Sequence, residues 1–223
     1  ITAIRQAYDT DPAIAASILG IHIEGPYISG EEGPRGAHST KYIRDPNWNE
    51  WLQMEEAGAG IVNMITLAPE REGALDFIER LARQGVLVAI GHTAAEPDQI
   101  SAAIERGAKL MTHIGNGVHE YLHRHNSYFL EGLARDELAA SLIADGIHLP
   151  DRVLRTVLRT KGVGRTILIS DSLGMAGLPP GDYPGFAGIT LRVLSDGRIV
   201  RADTGKLSGS SKNVAQCVDY VRK

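Results

Sequence analysis

VLVAIGHTAAEPDQISAAIERGAKLMTHIGNG, residues 86–117, holds two short apolar runs, VLVAIG (86–91) and KLMTHI (109–114), on either side of EPDQISAAIERG. The runs have strand length and little polar alternation, as strands buried on both faces do. The middle stretch has helical periodicity and ends in Gly107, where a helix C-cap favours glycine. Strand, helix and strand in this order predict parallel pairing with a right-handed crossover. His92 and His113 each stand where a strand gives way to a loop, flanked by Gly or Thr, as close backbone approach to a bound group requires.

The same rhythm extends in both directions. ILGIHI (18–23), IVNMITL (61–67), ASLIAD (140–145) and TILISD (166–171) read as strands, and WNEWLQMEEAG, ALDFIERLARQG and PDRVLRTVLRTKG as helices. Repeated βα units make either an open doubly wound sheet or a (β/α) barrel, and periodicity does not choose between them. The polar residues do. His22 and Glu24, His92, His113, Asp145 and Asp171 all fall at or just past strand C-termini, and a barrel opens all those ends on one rim. The expectation is an α/β chain forming a (β/α)8 TIM-type barrel, one domain over 1–223. Residues 178–207, rich in Gly and Pro, break the rhythm; ITLRVLSDGRIV within them reads as two strands joined by a Ser-Asp-Gly turn, a hairpin insertion beside the barrel before a final helix. The chain starts without Met and stops inside a helical pattern, so it reads as a piece of a longer protein whose barrel is incomplete.

Composition narrows the functional classes. With 223 residues, 43% hydrophobic and 22% charged, the chain can bury a substantial core. A formal charge of -4 supplies no basic field for phosphate backbones or anionic lipid, which argues against nucleic acid and membrane partners. No apolar run approaches the roughly 20 residues a bilayer span needs. The single cysteine, Cys217, cannot form an internal disulfide and fits a cytoplasmic setting.

One carboxylate and two imidazoles suit zinc first, with iron, manganese or cobalt also served, and three protein ligands leave an open position for catalysis. Glu24 precedes a Gly-Pro turn, and an acid in so apolar a strand needs a partner; a cation satisfies it. His22 alternates with Glu24 onto the same side of the strand and reads as a second ligand or, in preference, as a residue supporting the ligands. Asp171 follows a strongly apolar strand. If it faces the cation, it can accept a proton from attacking water and pass it to a leaving amine.

HIEGPYIS (22–29), RGAHS (35–39), GHT (91–93), THIGNG (112–117), ADGIHL (144–149), ISDS (169–172) and LSGSS (207–211) occur in an order that resembles the N-acetylglucosamine-6-phosphate deacetylases of the amidohydrolase superfamily. The resemblance implies a (β/α)8 barrel, a homodimer, and hydrolysis of the acetamide of a phosphorylated amino sugar to acetate and free amine. It implies Glu24, His92 and His113 as metal ligands, Asp171 as acid and base, and His38 as the residue polarising the acetyl carbonyl, with Ala37 touching substrate through its backbone. By the same resemblance Asn116, Gly117, Arg124, Asp145, Gly146, Ile147, His148, Leu207, Ser208 and Gly209 line the sugar-phosphate site, Arg124 reaching into the neighbouring subunit. The first barrel strand, which supplies a second metal's ligands in some relatives, is missing, as is the small β domain; one metal and two both remain open.

Two features depart from that pattern. Gly115-Asn116-Gly117 stands where an aromatic followed by Asn-Ala is usual, and the next loop, VHEYLHRHNS, is rich in histidine, with His119, His123 and His125 either contacting phosphate, tuning another substrate or lying on the surface. These keep in play a related amidohydrolase acting on a different N-acyl or cyclic amide, and the missing barrel strands keep in play a noncatalytic relic.

Overall fold

A computed structural model describes residues 1–185 and 188–223; residues 186 and 187, within the expected hairpin insertion, lie outside the described residues. Six strands, β1 (Ile21–Glu24), β2 (Val62–Leu67), β3 (Leu87–Ile90), β4 (Leu110–Met111), β5 (Ala139–Ile143) and β6 (Thr166–Ile169), form one sheet in the order of the sequence. Every neighbouring pair is parallel. A doubly wound sheet needs a reversal of strand order to place helices on both faces. An unbroken sequential order with crossovers of one hand places them all on one face, and the result is an arc of barrel.

The connecting helices are α3 (Trp48–Gly58), α4 (Ala74–Arg83), α5 (Pro97–Glu105), α6 (Tyr128–Ala134) and α7 (Asp151–Lys161). Local chemistry sets their ends. Asn47 and Ser127 accept backbone N–H groups at their helix starts, and Glu96 with Gln99 forms a capping box ahead of Pro97. At the other end, Gly162 closes α7 with φ 69°. Two N-terminal helices, α1 (Thr2–Thr10) and α2 (Pro12–Ser17), precede β1.

The core lies between the arc and its helices. Trp51, Ile65, Leu67, Ile78, Leu81, Ile90, Ile100 and Leu142 are fully buried, each contributing on the order of 1.5–3 kcal/mol. Trp51 and Tyr27 meet the Phe77 ring edge to face, at 6.4 and 5.3 Å between centroids. This packing fixes strands β1 to β3 against α3 and α4, and so fixes the rim above them.

Residues 178–207 carry a three-stranded antiparallel sheet, β7 (Gly181–Pro184), β8 (Thr190–Val193) and β9 (Ile199–Arg201), where two strands were expected. It has its own small core of Leu191, Val193 and Ile199. The final helix, α8 (Val214–Val221), buries Cys217.

Candidate metal centre

Glu24 is the last residue of β1, and His92, His113, Asp145 and Asp171 each stand two residues past the end of their strands. Three of these have left-handed backbones: φ is 50° at His92, 30° at His113 and 50° at Asp171. Among the described non-glycine residues only Ala59, at the C-terminus of α3, shares the property. Side chains disfavour this region, and its use at the ends of β3, β4 and β6 marks backbone strain held where side chains must be aimed.

The side chains converge on Glu24. Its Oε1 lies 2.8 Å from His92 Nε2 and 3.1 Å from His38 Nε2, and its Oε2 lies 3.5 Å from His113 Nε2. The imidazoles stack edge to face, with centroids 4.6 Å apart for His38 and His92 and 4.8 Å for His92 and His113. The donor atoms of Glu24, His38 and His92 all lie within 4.8 Å of one another, a separation that a single ion can span. The geometry therefore brings His38, expected to polarise substrate, into the ion-sized cluster, with His113 against the other carboxylate oxygen.

Hydrogen bonds orient the rings. The Pro34 carbonyl, 2.7 Å from His92 Nδ1, can only accept, so Nδ1 carries the proton and Nε2 turns its lone pair to Glu24. A lone pair facing a carboxylate oxygen at 2.8 Å is repulsive unless a proton or a cation lies between them. Burial holds His92 below the usual imidazole range despite Glu24 beside it, which favours a cation as the bridge. Burial also opposes ionisation of Glu24, but the charge of His113 and hydrogen bonds from His113 and His38 outweigh it and hold the carboxyl well below its ordinary range. His113 is buried as well, yet Glu24 and Asp171 raise it. Its Nδ1 is buried without a partner among the described residues. An anionic oxygen ringed by imidazole nitrogens fits a divalent cation with borderline ligands.

Glycines complete the cradle. A Cβ on Gly36 would lie 2.9 Å from Cε1 of His92, and one on Gly117 would lie 2.6 Å from its Nδ1, so the ring fits between two backbones. Asn116 donates its backbone N–H to the His113 carbonyl at 2.9 Å and steadies that turn. Ala37 is tied from a distance, its carbonyl accepting from Arg201 Nη1 of β9 at 3.0 Å.

The remaining expected residues occupy neighbouring loops. Asp171 is exposed, and its charge acts on both His113 and His22. Burial pulls His22 below its usual range, and its Nε2 lies 2.7 Å from the Thr66 hydroxyl. Asp145, Gly146, Ile147 and His148 form a turn beyond β5, with His148 Nδ1 2.7 Å from Asp145 Oδ2. In Leu207, Ser208 and Gly209, Ser208 donates to the Ile199 carbonyl at 2.9 Å, and a Cβ on Gly209 would meet Leu173 at 2.7 Å. Arg124, His123 and His125 are exposed in the loop before α6. His119 is pinned instead, 3.0 Å from Glu31 and 3.3 Å from the Tyr128 hydroxyl.

Sequence reasoning missed Glu70. It lies beyond β2 and accepts the Thr93 hydroxyl at 2.5 Å and the Ala94 N–H at 2.7 Å, clamping the loop just after His92. The signal was available: an acid just past a strand C-terminus, as at the other rim positions.

No family model matches the chain. Among curated proteins it is 31% identical over 218 residues to an N-acetylglucosamine-6-phosphate deacetylase of Bacillus subtilis, covering 98% of this chain and 54% of that one. It is 34% identical over 206 residues to an N-acetylgalactosamine-6-phosphate deacetylase of Escherichia coli O157:H7, covering 91% and 52%. In structure it is similar to an N-acetyl-D-glucosamine-6-phosphate deacetylase of Mycobacterium smegmatis in complex with N-acetyl-D-glucosamine-6-phosphate, with a TM-score of 0.85, 33% identity, and 96% and 55% of the two chains covered. The expected resemblance is borne out: the chain is homologous to N-acetylglucosamine-6-phosphate deacetylases over nearly its whole length. It spans about half the length of the curated relatives it matches.

Proposed function

We propose that this chain carries the metal-binding arc of an enzyme that removes the acetyl group from N-acetylglucosamine 6-phosphate. The observation that supports it above all is the convergence on Glu24 of His38, from the loop after β1, and of His92 and His113, from strand ends of a parallel arc. The names of its relatives favour this reading over a different amide or a noncatalytic role.

In the proposed site Glu24, His92 and His113 hold a divalent cation, zinc first, and a bound cation would supply Lewis acidity toward the acetamide. Asp171 accepts a proton as water oxygen adds to the carbonyl carbon, then gives it to the amine nitrogen as the C–N bond breaks. His38, beside the same centre, donates to the oxygen that gains negative charge. Ala37, Asn116, Gly117, the Asp145–His148 turn and Leu207 to Gly209 line the sugar. Arg124 meets the phosphate from the partner subunit of a homodimer, where a guanidinium can bind bidentately. The chain is proposed as a single barrel domain with an insertion at about 178–207, working in the cytoplasm.

The test is acetate release from N-acetylglucosamine 6-phosphate, from its galactose epimer and from N-acetylglucosamine, before and after chelation. Release should stop on chelation, return on adding zinc, and disappear in Asp171→Asn with metal still bound. Undiminished turnover by Asp171→Asn would overturn the assignment of the acid and base. Equal kcat/KM with and without the phosphate would overturn the substrate.

A further inference from the structure

Asp145 stands outside the Glu24 cluster, yet its side chain is fully buried and accepts four hydrogen bonds. Oδ1 takes the backbone N–H groups of Ile147 at 2.8 Å and His148 at 2.9 Å. Oδ2 takes His148 Nδ1 at 2.7 Å and the Ser210 hydroxyl at 2.9 Å. A buried carboxylate with this many donors is an organising charge, because each donor is fixed by the others.

Ser210 extends the contact to the next strand end. Its backbone N–H donates to the Asp171 carbonyl at 2.8 Å, Leu173 donates back to the Ser210 carbonyl at 3.3 Å, and Ser172 and Ser210 form a parallel bridge. The segment after β9 thus lies along the end of β6 like a short additional strand. A continuous path runs from the His148 ring through Asp145 and Ser210 to the backbone of Asp171, the residue with φ 50°.

The geometry points to Asp145 as a positioning residue that sets the tautomer of His148 and, through Ser210, the placement of Asp171. The inference rests on the proposed roles of His148 toward substrate and Asp171 in proton transfer. As a carboxylate, Asp145 only accepts, so Nδ1 of His148 must carry the proton and Nε2 is the atom presented to the sugar phosphate. An amide at 145 can donate instead, and the imidazole can then turn to the other tautomer with little change in shape. The Ser210 arm is separable. Ser210→Ala leaves the His148 bond intact while loosening the strand that braces Asp171.

Two readouts test it. In 15N-histidine-labelled chain at neutral pH, His148 should show protonated Nδ1, and Asp145→Asn should move that proton to Nε2. In steady-state deacetylation, Asp145→Asn should lower kcat/KM by about tenfold or more, chiefly through KM, with metal stoichiometry unchanged. Ser210→Ala should keep the His148 tautomer and lower kcat by about tenfold, with little change in KM. Should Asp145→Asn not fold, the wild-type tautomer and the Ser210→Ala split still decide. Protonated Nε2 in the wild type, or an unchanged kcat in Ser210→Ala, overturns the proposal. If the wild-type tautomer is as expected but no amino sugar phosphate is deacetylated, it is the functional reading that has failed, while the role of Asp145 in orienting His148 stands.

Discussion

At the residue scale the most informative property is the one least visible in the sequence. His92, His113 and Asp171 hold left-handed backbones that a glycine would adopt freely. Holding such a conformation costs on the order of 1–3 kcal/mol, and no gain in packing is apparent at Asp171, which is exposed. Asp171→Gly should therefore raise stability by about 1 kcal/mol, net of the entropy of glycine, in urea unfolding, while deacetylation is lost. A destabilised glycine variant would mean that the Asp171 side chain contributes to folding.

Asp145 gives the pH dependence a sign. Burial alone would raise its pKa, but hydrogen bonds from the His148 ring and from the backbone N–H groups of His148 and Ile147 lower it well below the usual range. A depressed folded-state pKa contributes stability that is present above the unfolded value of about 3.9 and drains away as pH falls toward the folded one. The stability difference between wild type and Asp145→Asn should then be constant near neutrality and shrink below about pH 4. A gap that widened in acid would contradict the assigned direction.

At the scale of elements, the strands and the helices α3, α4, α5 and α7 were legible because each pairs an uninterrupted apolar run with an amphipathic one. The rim residues were legible for the same reason: a polar side chain closing an apolar run is conspicuous. What escaped were elements whose signal is short or lies elsewhere. α6 has seven residues and follows a polar loop, so its periodicity hardly completes two turns. β4 was expected, over 109–114, but only Leu110–Met111 pair, because the chain turns into the strained backbone at His113. Glu70 carried the rim signal of an acid just past a strand, but its role was not legible, because its partners, the Thr93 hydroxyl and the Ala94 N–H, are contacts between loops that only the fold creates. Glu70→Ala should free the loop after β3, lowering zinc affinity about tenfold in competition titrations and costing about 1–3 kcal/mol in stability. Unaltered affinity would mean that Pro34, Gly36 and Gly117 suffice to hold the His92 ring.

At the scale of the whole molecule, the arc has two edges. Among the described residues β1 pairs only with β2, and β6 only with β5. Leu19, just ahead of β1, is 96% exposed, and Ile167 in β6 is 47% exposed, so both edges carry apolar side chains alongside unpaired backbone groups. Such edges recruit further strands, including those of a second copy. The 223-residue chain should accordingly associate with rising concentration in sedimentation velocity, and Ile167→Lys should return it toward monomer while leaving its thermal unfolding nearly unchanged, since little burial is lost. The proposed homodimer, in which Arg124 crosses to a neighbouring site, makes a different forecast. Association that survives Ile167→Lys but is lost in Arg124→Ala would place the contact at the loop before α6. Loss in Ile167→Lys alone would place it at the open edge, where the sheet seeks the strands it is not paired with.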